Sequence, residues 1–244
     1  MRFIRRSKAR SRRGRRLLVA ALGLLVGALV WQVVTWPDVA ALAHSEPETT
    51  AFIERFERQR REEGLEAEVA WRWVDYDDIS IHFKQAVLVS EDIAFFSHRG
   101  FALEEIEIAL REAWAERKPP RGASTITQQL AKNLWLSPAR SPLRKLEEAI
   151  LTWQLERHLD KQRILELYMN VVELGQGIYG VEAAARHYFS RSASELSRRQ
   201  AAELAAALPR PRHWRPGSDS RAYRRRVDIA LARMAKTDWL LKLL

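Results

Sequence analysis

Residues 121–133 read RGASTITQQLAKN, and they hold the start of a helix together with a set of polar groups. Gly122 permits a tight turn or the close approach of a ligand. Ser124 and Thr125 fall where a helix would begin, a position whose free N–H groups favour anions. From there Ile126, Leu130 and Leu134 recur at four-residue spacing, the period of a helix with one buried face. Gln128, Lys132 and, less directly, Thr125 fall on the opposite, polar face. The same period governs most of the chain around this stretch, so the expected fold is mostly α.

Downstream, Leu143, Leu146, Ile150 and Trp153 lie on one face of another helix. Asp160 is a good N-cap for the next, which carries Ile164, Leu167 and Tyr168. Gly175, Gly177 and Gly180 make a loop before a helix over Val181 to Phe189. Ser197 with Gln200 caps an alanine-rich helix that stops at Pro209, and a last helix, Arg221 to Ala235, is basic on one side. Upstream, Ile106, Leu110 and Ala113 form a stripe closed by Pro119-Pro120. Ile81 to Val89 is one apolar helix ending in Ser90-Glu91-Asp92. Glu68 to Val74 alternates enough for a short strand or extended linker. Ser45-Glu46-Pro47-Glu48 reads as a capping box opening a charged helix that runs to Glu63, with Gly64 ending it. Internal repeats and low-complexity segments are absent.

The N-terminus is of another kind. Arg2, Arg5, Arg6, Lys8, Arg10, Arg12, Arg13, Arg15 and Arg16 precede the first acid, Asp38. Without those nine cations the net charge of +10 becomes a near balance of 32 basic against 31 acidic residues. A surface that follows a phosphate backbone is therefore not indicated, and nucleic acid is excluded as a partner. Leu17 to Trp36 then runs twenty residues without a charge, roughly 30 Å as a helix, enough to cross a bilayer. Trp31 and Trp36 stand at its outer end, and the positive-inside rule puts the tail in the cytoplasm. A cleavable signal is the rival, with Ala41-Leu42-Ala43 as its small-x-small site, but the apolar run exceeds a signal's usual core of roughly 7–15 residues. The expected organisation is a basic tail over 1–16, a transmembrane helix over 17–36, a linker with a juxtamembrane helix over 37–67, and one domain over 68–244. The chain has no cysteine, and its six histidines show no His-x-x-x-His pair, so Cys-based sites are excluded and zinc is not indicated.

Three clusters place polar groups where a purely structural helix would not need them. Glu91 and Asp92 come at the end of an apolar helix, where the macrodipole disfavours carboxylates. Apolar neighbours there would raise a carboxyl pKa toward that of a useful general base. The 121–133 stretch is the second cluster. The third is Arg140-Ser141-Pro142-Leu143-Arg144-Lys145-Leu146-Glu147-Glu148, in which Glu148 follows a set of cations. Taken singly, these could be a solvated turn, a capped amphipathic helix and a helix with local ion pairs.

Their order and spacing resemble glycosyltransferase family 51, the peptidoglycan glycosyltransferases. Glu-Asp-x-x-Phe-x-x-His-x-Gly matches at 91–100, Gly-Ala-Ser-Thr-Ile-Thr-Gln-Gln at 122–129 and Arg-Lys-x-x-Glu at 144–148. The segments Ile164–Asn170, Tyr179–Ala185 and Leu208-Pro209-x-Pro211 are similar to the later motifs, so the resemblance covers roughly residues 68 to 215. Ala123 replaces a glycine common in the family and is similar to the monofunctional Gram-negative branch. The chain has no Ser-x-x-Lys, the nucleophile motif of the transpeptidase domain that follows in class A penicillin-binding proteins, which also points to the monofunctional branch.

The resemblance implies a lysozyme-like, two-lobed α domain and lipid II as substrate, on the periplasmic side of a bacterial inner membrane. It implies Glu91 as general base and Glu148 as the second essential carboxylate. Lys132 and Arg140 match the positions facing the lipid pyrophosphate, and Ser124, Gln128 and Asn133 the further substrate contacts. A divalent cation, magnesium being the expected ion, would help neutralise the pyrophosphate, although no dedicated metal cage is visible. Partners beyond substrate and membrane would be division or elongation proteins. Two other readings remain open from sequence. A wall-degrading glycosidase could share the fold, and a membrane scaffold would need no chemistry at all.

Overall fold

The computed structural model describes residues 19, 22, 23, 26, 27, 34–117, 124–139 and 141–244. The basic tail and most of the expected anchor lie outside the described residues. Among the described residues no helix is long and apolar enough to cross a membrane. The chain divides into residues 1–38 and a compact body, Val39–Leu244.

The body is mostly helical. Helix α1 spans Ala51–Glu62, α2 Ile81–Glu91, α3 Leu103–Glu116, α4 Ile126–Trp135 and α5 Pro142–His158. They are followed by α6 Lys161–Val171, α7 Val181–Phe189, α8 Arg198–Ala207 and α9 Arg221–Met234. Two groups of helices stand out. In one, α2 packs on α8 and α9; in the other, α4 packs on α5 and α6. Short alanine side chains on α8 allow the first close approach, since Ala201, Ala202, Ala205, Ala206 and Ala207 are all buried.

A small sheet joins the segment before α2 to the segment between α6 and α7. Strand β1 is Ala70–Trp71, β2 Glu173–Gly175 and β3 Ile178–Tyr179. The order is β1-β3-β2, with β1 parallel and β2 antiparallel to β3. The glycines expected as a loop therefore include a hairpin. Asn170 fastens β1's exit to α6: its side chain takes both backbone groups of Val74, at 3.0 and 2.9 Å, and its carbonyl accepts from the Trp71 indole at 2.7 Å. Gly180 passes so close that a Cβ there would lie 2.5 Å from the Asn170 carbonyl oxygen, and its φ of +77° suits glycine alone.

Local signals place most helix starts. Thr125, Ser141, Asp160, Ser197 and Ser220 each cap a helix through the side chain. The first helix differs from the expectation. It starts at Ala51, with buried Thr50 accepting from the Ile53 amide at 3.1 Å. Ser45 instead donates to the Ala41 carbonyl, closing the 3-10 turn Ala40–Ala43. Ile53 and Phe56 of α1 pack on Tyr179 of β3, so this helix belongs to the body's core.

Helix α5 also departs from a simple amphipathic reading. Glu148, Leu151, Thr152 and Leu155 face inward. The apolar row faces out, with Leu143 66%, Leu146 57%, Ile150 40% and Trp153 54% exposed. Leu103, Ile108 and Trp114 of α3 are exposed as well; the stripe expected there from Ile106, Leu110 and Ala113 lies outside the described side chains.

Candidate active site

Helix α2 delivers two adjacent carboxylates, and the chain uses them differently. Asp92 ends the helix and turns inward, 4% exposed. It accepts from the Ile126 amide at 3.0 Å, at the start of α4, and from His98 Nε2 at 3.0 and 3.1 Å. His98 Nδ1 in turn accepts from the Gly100 amide at 3.1 Å, which assigns the proton to Nε2. The Gly100 carbonyl accepts from the Thr125 hydroxyl at 2.7 Å, closing a ring of bonds around the N-terminus of α4. Gly100 is confined: its φ is +83°, and a Cβ would lie 2.7 Å from a Thr152 methyl.

Among the described residues the Glu91 carboxylate, by contrast, accepts one bond, from Gln129 Nε2 at 2.9 Å. It is half-buried. Burial pushes its carboxyl above the usual range; the Gln129 bond and the charges of Arg226 and Lys132 oppose this, while Asp92 adds to it. A carboxylate with few bonds and a raised pKa suits proton abstraction. Gln129 and Arg226 were not found from sequence. Gln129 sits beside Gln128 with no pattern to separate the two, and Arg226 lies on α9 among three consecutive arginines.

Helix α4 carries the other groups. Thr125 and Gln128 form its capping box, with Gln128 Oε1 accepting from the Thr125 amide at 3.0 Å. That bond occupies the side-chain oxygen of Gln128. Ser124 is half-buried just before the cap, and Asn133 is buried one residue beyond Lys132. Lys132 is partly buried and its pKa is lowered by desolvation; Glu148 and Glu91 favour its charge, and Arg144 and Lys145 disfavour it. It therefore stands in the field of both expected carboxylates.

Glu148, 3% exposed, projects inward from α5. Arg144 donates to it at 2.7 Å, and Lys145 bonds its other oxygen. Both carboxylate oxygens are thus taken by cations one turn earlier on the same helix. Arg140 lies outside the described residues. Among the described residues no three His, Asp or Glu side chains gather as a metal site. Asp92 and Glu148 already accept from nitrogen donors, which a metal would have to displace.

The arrangement offers a raised-pKa carboxylate and a partly desolvated cation on adjoining helices, with a further acid holding two cations nearby. Comparison with known proteins shows the family to which the chain belongs. A model of the transglycosylase family matches residues 58–235. A biosynthetic peptidoglycan transglycosylase of Methylobacillus flagellatus is 43% identical over 210 residues, covering 86% of this chain and 92% of that one. One of Dechloromonas aromatica is 42% identical over 225 residues, covering 92% and 97%. One of Alcanivorax borkumensis is 48% identical over 197 residues, covering 81% and 78%.

Proposed function

The chain belongs to the transglycosylase family and is a peptidoglycan glycosyltransferase, and we propose that it polymerises lipid II into β-1,4-linked glycan at a membrane surface, in a lysozyme-like two-lobed domain. The observation that carries the mechanism is the contrast between neighbouring carboxylates: both oxygens of Asp92 are held by the His98 and Ile126 N–H groups, whereas Glu91 keeps an oxygen for substrate. Glu91 takes the proton of the acceptor sugar's 4-hydroxyl as that oxygen attacks the donor's anomeric carbon. The new C–O bond forms as the bond to the lipid pyrophosphate breaks on the opposite face, so configuration inverts and undecaprenyl diphosphate leaves.

Lys132 meets the charge developing on the pyrophosphate, with Arg140 as its expected companion. Glu148 keeps Arg144 and Lys145 in place. Ser124, Gln128 and Asn133 contact the substrate. Magnesium would arrive on the pyrophosphate, without a protein cage.

The segment 17–36 anchors the chain in the inner membrane, with the body in the periplasm. The exposed Leu143, Leu146, Ile150 and Trp153 on α5 suit a surface resting on lipid.

Purified full-length chain given lipid II should yield uncross-linked polymer that lysozyme digests completely, and should leave isolated wall intact. Shortening of wall without consumption of lipid II would overturn the reading. Retention in membranes after carbonate washing tests the anchor; release of a soluble product beginning near His44 would refute it.

A further inference from the structure

Gln129 stands between Glu91 and the protein interior. Its nitrogen donates to Glu91 Oε2 at 2.9 Å and, more weakly, to the Ser124 carbonyl at 3.4 Å. Its oxygen accepts from the Tyr168 hydroxyl at 3.0 Å. Tyr168 is fully buried on α6, out of contact with solvent. A carboxamide can be turned over, exchanging its donor and acceptor ends. Turned over here, its oxygen would face the Ser124 carbonyl and the Glu91 carboxylate, neither of which can donate while Glu91 is ionised. The hydroxyl of Tyr168 bonds the present orientation. Without it the amide oxygen would be buried and unpaired, a costly state, and the turned orientation would gain ground whenever Glu91 carries a proton.

We propose that Tyr168 is a positioning residue of the transfer reaction, holding Gln129 in the orientation that presents a donor to ionised Glu91 and so keeps that carboxylate ready for the acceptor's proton. This rests on Glu91 being the base. The other groups facing Glu91 are Arg226 on α9, Lys132 on α4 and the adjacent Asp92, and none of them bonds Gln129. Burial, with the charges of Glu91 and Asp92, pushes the Tyr168 phenol well above its usual value, so it remains a neutral donor at working pH.

The test is kcat/KM for lipid II against pH in full-length unmodified enzyme, Tyr168→Phe, Gln129→Leu and the double variant. Losing a donor to the ionised form raises a carboxyl pKa, so the acid limb should move up. About 0.5–1 pH unit is expected for Tyr168→Phe and more for Gln129→Leu, with the loss shrinking toward the optimum. The double variant should match Gln129→Leu alone, because Tyr168 acts only through Gln129. A uniform loss in Tyr168→Phe with an unmoved acid limb would overturn the proposal, as would a further shift in the double variant. Gln129→Leu, at a half-buried position, tests the bond to Glu91 through which Tyr168 must act: an unmoved limb there overturns the proposal too. Glu91→Gln run alongside keeps the two questions apart. If it is inactive, the base assignment stands whatever Tyr168 does; if it is active, the assignment fails first.

Discussion

His98 Nε2 lies 3.0 Å from the carboxylate of Asp92 and, through Nδ1, holds the amide of Gly100. This imidazole makes Asp92 a strut and leaves Glu91 as the acid with capacity to react. Asp92→Asn should therefore act on stability. The new amide would set a donor against the His98 donor while keeping an acceptor for Ile126. A loss of about 1–3 kcal/mol is expected, read as a lower midpoint in denaturant at unchanged slope. Well below its melting temperature the folded variant should still polymerise. Full inactivity with unaltered stability would contradict this division of roles.

Under the proposed mechanism Lys132 should set the alkaline side of the pH profile. Its pKa is lowered, chiefly by desolvation, so its charge is lost as pH rises through that depressed value, and grip on the pyrophosphate goes with it. Arginine stays protonated throughout. Lys132→Arg should extend the basic limb of kcat/KM to higher pH and leave the acid limb in place, although the different head group lowers the maximum. An unmoved basic limb would assign that limb elsewhere.

Glu148 pairs with two cations on its own helix, one of them with an exposed side chain. Glu148→Gln should cost about 1–2 kcal/mol of stability, discounted for that exposure, and raise KM for lipid II as Arg144 and Lys145 lose their hold. Calorimetry and initial rates check both parts. A change in kcat alone, with stability intact, would instead mark Glu148 as acting directly on the reacting groups.

Much of this was legible in the sequence because the informative signals are local. The capping residues Thr125, Asp160 and Ser197 and the four-residue apolar spacing of α4 act within one or two helical turns. The false start at Ser45 shows the limit: a capping pattern stood there in the sequence, but the helix starts five residues later, where Thr50 is buried against the body and caps it. The outward apolar face of α5 was hidden for a related reason. Leu143, Leu146, Ile150 and Trp153 have the period of a buried stripe, and only the packing of Leu151 and Leu155 shows which side faces the core. Within the site, Glu91, Lys132 and Glu148 came through motif resemblance. The links from Gln129 to Tyr168 and from Asp92 to Ile126 span 39 and 34 residues, beyond any sequence period.

The most direct measurement is lipid II polymerisation by Glu91→Gln, with its melting temperature recorded across pH. Glutamine keeps the shape and can still accept from Gln129, but it cannot take the acceptor's proton. The rate should fall about 10²–10⁴-fold, the usual worth of a general base. Stability should move the other way. Because burial raises the Glu91 pKa in the folded protein, its contribution is fully present below the unfolded value of about 4.3 and is lost as pH rises through the folded one. The variant's melting temperature should thus match the unmodified enzyme in acid and exceed it at neutral pH. Polymerisation by folded Glu91→Gln at close to the unmodified rate would contradict the account and place the base elsewhere.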